Sequence, residues 1–180
     1  PELCFDINVK GTTNLLFAAA EAGIRNAVVI SSGASIQAYE TQSHTLPGNR
    51  PKGLYGLTKS CQELIAEFYA NEHDFNMGVL RIGYVLDGEN MLDKYGRHVG
   101  ERNFQDCDRR DVGEVARLCL ERKQPGFDVF HVLSTHESMD LWDVRHTCEK
   151  LNWQPRYDFD SLPLDENTKQ RMAKLEKANG

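Results

Sequence analysis

Apolar and polar positions along the chain follow two rhythms. NLLFAAAEAG (Asn14–Gly23) is made of strong helix formers and closes on a glycine suited to the position just past a helix end. That helix is predicted to begin near Asn8. NAVVISS (Asn26–Ser32) is short, apolar and rich in β-branched residues, the pattern of a strand buried on both faces in a parallel sheet. Gln37–Gly53 is polar with Pro and Gly, which predicts a loop. From Leu54 to about Asn71, Leu57, Cys61, Leu64, Ile65 and Phe68 recur at spacings of three and four, a helical stripe. NMGVLRIG (Asn76–Gly83) reads as a second buried strand, and Tyr84 to Arg109 as irregular and polar. A helix at Asp111–Lys123, a third strand at Asp128–Ser134 and a helix at Ser138–Trp153, capped by Ser138, follow. Asp165–Gly180 is charged, a helical or frayed tail.

Strands alternating with helices of this length predict a parallel α/β sheet with right-handed crossovers. Three strands are few for that architecture, so the sheet reads as part of a larger one. The composition, 180 residues with 40% hydrophobic and 27% charged, suits a soluble globular domain. A net charge of −6 argues against non-specific nucleic-acid binding, which needs a basic face. No apolar run approaches the length of a membrane span, and no signal-peptide pattern opens the chain. Pro1 in first place points to a missing or processed start. The five cysteines, Cys4, Cys61, Cys107, Cys119 and Cys148, are widely spaced and form no C-x-x-C pair, the usage of reduced thiols in a cytoplasmic protein. The six histidines are scattered at spacings that suit no metal.

The candidate chemistry lies where the first strand ends. Ligands of open parallel sheets bind at the carboxyl ends of strands. Ser31-Ser32-Gly33 stands there, and the next helix opens with Tyr55 and, one turn on along the same face, Lys59. A tyrosine of ordinary pKa, about 10, is a poor base at neutral pH, and a nearby ammonium favours its phenolate. Such a tyrosine could exchange a proton with a hydroxyl, while a serine orients the same oxygen and stabilises its charge. Ser31 and Ser35 compete with Ser32 for that role. Asn8 reads equally as a helix cap or a site residue. Arg81 and Arg110 could each hold a substrate anion, or simply be surface charges. Trp142 and Trp153 read as packing residues.

Five segments in order, NVKGTTNLLFAAAEAG, NAVVISSGAS, LYGLTKSCQELIAEFYANE, VLRIG and RRDVGEVARLCLE, resemble the extended short-chain dehydrogenase/reductase family, the NAD-dependent epimerase/dehydratase group. The resemblance runs from about Asp6 to Tyr157 and is nearest to uronate dehydrogenases and related sugar dehydrogenases. It implies a partial Rossmann-type doubly wound sheet with helices on both faces. Residues 1–83 would be the remaining Rossmann core and 84–180 the substrate side, with the third strand and the C-terminal helices. It implies NAD or NADP as cofactor and a small sugar as substrate. Ser32, Tyr55 and Lys59 are the implied catalytic residues. Asn8, with Tyr55 and Lys59, lies on the cofactor side, and Gly33 lies with Ser32 on the substrate side. The resemblance also implies a homodimer through the helices 8–23 and 54–71.

Three departures stand out. The family's glycine-rich turn after its first strand is missing: Gly48, Gly53 and Gly56 are in the wrong place, and Gly96 and Gly100 follow no strand. The chain therefore reads as roughly the C-terminal three-fifths of such an enzyme, inactive by itself. Gly33-Ala34 stands where uronate dehydrogenases carry Asn-His, and Tyr84 where they carry serine. The expected function is an NAD(P)-dependent sugar dehydrogenase or epimerase. The rival is a non-catalytic remnant that keeps only the dimerising helices.

Overall fold

The computed structural model describes residues 1–36 and 49–179. Most of the loop predicted at Gln37–Gly53 lies outside them. The elements in chain order are α1 (Glu2–Cys4), a π-helical stretch Phe5–Gly11, α2 (Thr12–Glu21), β1 (Asn26–Ser32), a 3₁₀ turn Gly33–Ser35, α3 (Gly53–Glu72), β2 (Asn76–Ile82), β3 (Tyr84–Asp87), β4 (Leu92–Asp93), β5 (Asp106–Asp108), α4 (Arg109–Glu121), β6 (Gly126–Val132), α5 (Ser138–Leu141), α6 (Val144–Leu151) and α7 (Glu166–Asn179).

β1, β2 and β6 form a parallel sheet with β2 in the centre, in a register that aligns Val29, Val79 and Val129. Strand alternation sends Met77 and Val79 to one face, against Leu16 and Ala20 of α2 and Ala66, Tyr69 and Ala70 of α3. Leu80, Phe130 and Val132 go to the other face, with Val115 and Cys119 of α4 and Leu151 of α6. Helices thus cover both faces, as an α/β pattern requires. Gly78 of β2 is needed for that cover: a Cβ there would meet Cys119 Sγ at 2.8 Å.

Several elements differ from the sequence reading. β2 is buried on both faces, but β1 is not: Ile30 and Asn26 are exposed, because β1 pairs only with β2 among the described residues. The first helix starts at Glu2 and runs through the π-helical stretch, so Asn8 lies inside a helix and caps nothing. The segment 84–109 holds a second sheet, order β4-β3-β5, whose strands of two to four residues are too short to show a periodicity. α4 begins at Arg109, two residues early, because Asp108 caps it by accepting the Arg110 N–H. β6 is Gly126–Val132, two residues earlier than predicted.

The helix predicted over Ser138–Trp153 is two helices. Asp143 takes a left-handed backbone (φ 48°), and the Trp142 side chain is buried. Ser138 does not cap: its hydroxyl donates to the Thr135 carbonyl (2.6 Å), and Glu137 holds the cap position. The tail is a helix, fastened by Thr168, whose hydroxyl accepts the Phe104 N–H (3.0 Å), and by Met172 and Leu175 on the core.

The apolar stripe of α3 faces outward. Leu57, Leu64 (61% exposed) and Phe68 (56%) point to solvent, while Thr58, Ser60, Glu63 and Ala66 face the sheet. α2 shares the inversion, with Leu15 and Phe17 exposed and Leu16 buried.

Candidate active site

Ser31 and Ser32, adjacent at the end of β1, point to opposite sides. Ser31 is buried and its hydroxyl donates to Glu63 Oε1 at 2.5 Å. Ser35 Oγ lies 2.7 Å from the same oxygen. The Arg81 guanidinium grips Glu63 through Nε (3.0 Å) and Nη2 (2.7 Å), and Asn49 joins both partners. Burial pushes the Glu63 carboxyl up, but Arg81 and the two serines outweigh it and hold the group below its ordinary value. Only Arg81 Nη1 has no acceptor among the described residues. Ser31 and Ser35 are thereby spoken for, and Arg81, 7% exposed, is the buried partner of Glu63 and no surface charge.

Ser32 lies on the other side. Its Oγ accepts the Ala34 N–H at 3.2 Å, which leaves its own proton free to donate. It lines two cavities, of about 220 and 580 Å³, together with Tyr55, Ile82, Gly83 and Tyr84. Gly33, Ala34, Gln105 and Trp142 complete the smaller. Val85, Leu86, Asp93, Lys94, Tyr95, Arg97 and Asp106 complete the larger. The shared residues make these two lobes of one cleft at the carboxyl end of the sheet.

Tyr55 is half exposed, in the first turn of α3. Gly56 lets that turn come close: a Cβ there would meet the Ala34 carbonyl oxygen at 2.4 Å. Lys59 is buried one turn on, its Nζ 5.8 Å from the centre of the Tyr55 ring. Nζ donates to the Ile30 carbonyl (2.8 Å) and to Gln62 Oε1 (2.8 Å). A lysine only donates, so Gln62 must turn its carbonyl to Lys59; its amide N–H then donates to Thr12 Oγ1 (2.8 Å). Burial lowers the Lys59 pKa, and the Glu63 charge opposes that in part. The ammonium is thus pinned to β1, to its own helix and to α2, with no acceptor for its third N–H among the described residues.

Asn8 donates through its amide to Thr58 Oγ1 at 3.0 Å, and Thr58 in turn to the Tyr55 carbonyl at 2.9 Å. It braces the Tyr55 turn from behind. Gly33 lines the smaller lobe, and a side chain there is excluded: a Cβ would sit 1.8 Å from the Trp142 ring. Trp142 is therefore both a packing residue and a wall of the cleft. Arg110 is outside both cavities, bonded to Asp87, Asp108 and Glu89 and stacked on Tyr157. Gln62, which bonds Lys59, and the cleft-lining Trp142 and Asp106 were not among the site residues read from the sequence. Gln62, three residues after Lys59 on a helix, could have been found from spacing; the other two enter through tertiary contacts. Among the described residues no group of three His, Cys, Asp or Glu side chains could hold a metal, and no helix is long and apolar enough to cross a membrane.

The chain is similar to a NAD-dependent glucose-6-phosphate dehydrogenase of Haloferax volcanii, with 25% identity over 178 aligned positions that cover 88% of this chain and 65% of the relative. Among solved structures it is similar in fold to the glucuronic acid dehydrogenase of Chromohalobacter salexigens (TM-score 0.68, 22% identity, 98% of this chain and 61% of that one). It is similar too to a short-chain dehydrogenase/reductase superfamily protein of Agrobacterium tumefaciens with bound NAD (TM-score 0.66, 20% identity, 97% and 75%). The chain thus spans somewhat less than two thirds of the first two. The model of the NAD dependent epimerase/dehydratase family matches residues 1–145, and the chain belongs to that family.

Proposed function

We propose that this chain carries the proton-transfer site of an enzyme that oxidises or epimerises a sugar with NAD. The observation that supports the reading best is the meeting of Ser32 and Tyr55 on the walls of one cleft, with the Lys59 ammonium fixed beside the Tyr55 ring. The chain's residues fit the nicotinamide-ribose end of the cofactor: Tyr55 lies open, and Lys59 has a donor to spare after its two protein acceptors. They do not supply a glycine-rich turn for the pyrophosphate. NAD, when bound, supplies the hydride acceptor.

The chain's own residues handle the proton. Tyr55 Oη takes it from the substrate hydroxyl in the oxidative direction and returns it in the other. Lys59, held by Ile30 and Gln62, keeps its ammonium beside the Tyr55 ring. Ser32, oriented by the Ala34 N–H, donates to the substrate oxygen and stabilises its charge. The Trp142 ring against Gly33 fills space that a larger residue would take, so the substrate meets a flatter wall here than Asn-His would give.

The exposed Leu15, Phe17, Leu57, Leu64 and Phe68 on α2 and α3 support a homodimer through these helices. Sedimentation of the natural full-length protein tests it: Leu64→Glu with Phe68→Glu should turn a dimer into a monomer, and a wild-type monomer at micromolar concentration would overturn it. For the site, the test is turnover of wild type and Tyr55→Phe on free, phosphorylated and nucleotide-linked sugars with NAD. Wild-type rates in the variant on every accepted sugar would sink the reading.

A further inference from the structure

The larger lobe of the cleft holds a carboxyl group that the mechanism leaves unused. Asp106 is 4% exposed, yet it lines the 580 Å³ cavity that Ser32 and Tyr55 also line. Its position is fixed from three directions. β5 runs parallel to β3 with Asp106 opposite Tyr84. The Asp106 N–H donates to the Asn103 carbonyl (2.9 Å), and its own carbonyl accepts the Ser134 N–H (2.9 Å). Gly83 permits this closeness, since a Cβ there would meet the Gln105 carbonyl oxygen at 1.8 Å.

The carboxyl is half used. Oδ2 accepts the Asn103 N–H at 2.7 Å. Among the described residues Oδ1 has no partner, and it is not one of the fully enclosed polar atoms. His131 Nε2, Trp142 Nε1 and Trp153 Nε1 also lack partners, but they are sealed in, where nothing reaches them. Buried polar groups ordinarily find a partner, so an open, rigidly held carboxyl oxygen in a cavity is a place for a ligand's hydrogen bond. Burial, eased by the Asn103 bond and reinforced by Asp165, pushes this group up to about 7, so at neutral pH it can donate as well as accept.

We propose that Asp106 is a substrate-positioning residue whose free carboxyl oxygen holds a hydroxyl of a neutral polyol, the non-reacting end of the sugar whose reacting hydroxyl lies at Tyr55. This rests on the function proposed above and adds the ligand chemistry of its second lobe. Above pH 7, where Asp106 is mostly ionised, a carboxylate on the ligand at this point would face a like charge, so there the site favours an unoxidised sugar end over a uronate.

The test uses the natural full-length protein and a panel of aldohexoses, aldopentoses and hexuronates. Asp106→Ala should raise KM for the neutral sugars by about 10- to 100-fold with kcat within about threefold, the signature of lost positioning. Asp106→Asn keeps the Asn103 bond through its amide oxygen and presents N–H to the cavity. Assayed above about pH 8, where wild-type Asp106 is mostly ionised, it should hold KM for neutral sugars within about threefold and raise the uronate-to-neutral ratio of kcat/KM about tenfold, because the like charge is gone. An unchanged ratio in Asp106→Asn overturns the proposal, even if Asp106→Ala fails to fold. So does an unchanged KM in Asp106→Ala. Calorimetric titration of the same sugars in a Tyr55→Phe background separates the two readings. If Tyr55→Phe is inactive and Asp106→Ala binds sugar as tightly as before, only this inference falls. If Tyr55→Phe turns over normally, the function reading falls first.

Discussion

Ser31 and Ser32 are the same residue type at the end of the same strand, put to opposite uses. On the Ser31 side, Glu63, Arg81, Ser35 and Asn49 bond one another, and both Glu63 oxygens are taken. On the Ser32 side, each polar group keeps one direction open: the Ser32 proton, the Tyr55 hydroxyl, the third N–H of Lys59 and, in the far lobe, Asp106 Oδ1. A charged cluster that bonds within itself stabilises a fold. A cluster with bonds left over can bind and react. Chemistry should therefore fail when the open side is cut, and folding when the closed side is.

The largest effect tests the open side. Tyr55→Phe keeps the ring and removes the hydroxyl, so turnover should fall by about 10²–10⁴-fold while the thermal midpoint holds. Lys59→Met should lower turnover as well, and should not lower stability, because it relieves the burial that already disfavours the ammonium. Equal losses of stability and turnover in both variants would erase the distinction between the sides.

Cutting the closed side should do the reverse. Arg81→Met leaves Glu63 buried without its cation and should cost about 3–5 kcal/mol in denaturant unfolding. Any fraction that folds should keep kcat within a few-fold.

Acid probes the closed side in the wild type. His131, beside Arg81 in the sheet, is buried, and burial with the Arg81 charge lowers its pKa from 6.5 to about 4. Between those values the unfolded chain binds the proton and the folded chain does not. Stability is thus full above 6.5 and falls as pH drops toward 4, by about 3 kcal/mol. Urea midpoints measured from pH 7 to 4 should fall more steeply for wild type than for His131→Gln; parallel curves would reject this.

The two serines give the finest contrast. Ser32→Ala should cost about 10²-fold in turnover and almost nothing in stability. Ser31→Ala should cost about 1–2 kcal/mol of stability, for a lost bond to a charged acceptor, and little turnover.

The alternation of apolar runs was enough to foresee the parallel sheet and its helices, because buried strands and long helices leave a periodic signature. That the Ser31–Ser32 strand end would lie near Tyr55 and Lys59 was legible, because a strand end and the next helix start must meet at one sheet edge. Which serine faced the cleft was not, since the answer lies in the Glu63–Arg81 pair, drawn from distant segments. The α3 stripe revealed the helix: periodicity identifies an apolar face and does not say whether this chain's own core covers it. The break at Trp142–Asp143 was invisible because a left-handed aspartate leaves no mark in a pattern of apolar spacings.

Trp142 has one more consequence. Its indole forms part of the cleft wall against Gly33, and the only other tryptophan, Trp153, is buried in the core. The cleft therefore contains its own fluorophore. A molecule that enters the small lobe should change the emission of that ring, while Trp153, which lines neither lobe, should give a steady background. Occupancy can then be followed by light alone, with no turnover and no label, in wild type and in every inactive variant. Trp142→Phe is the blank.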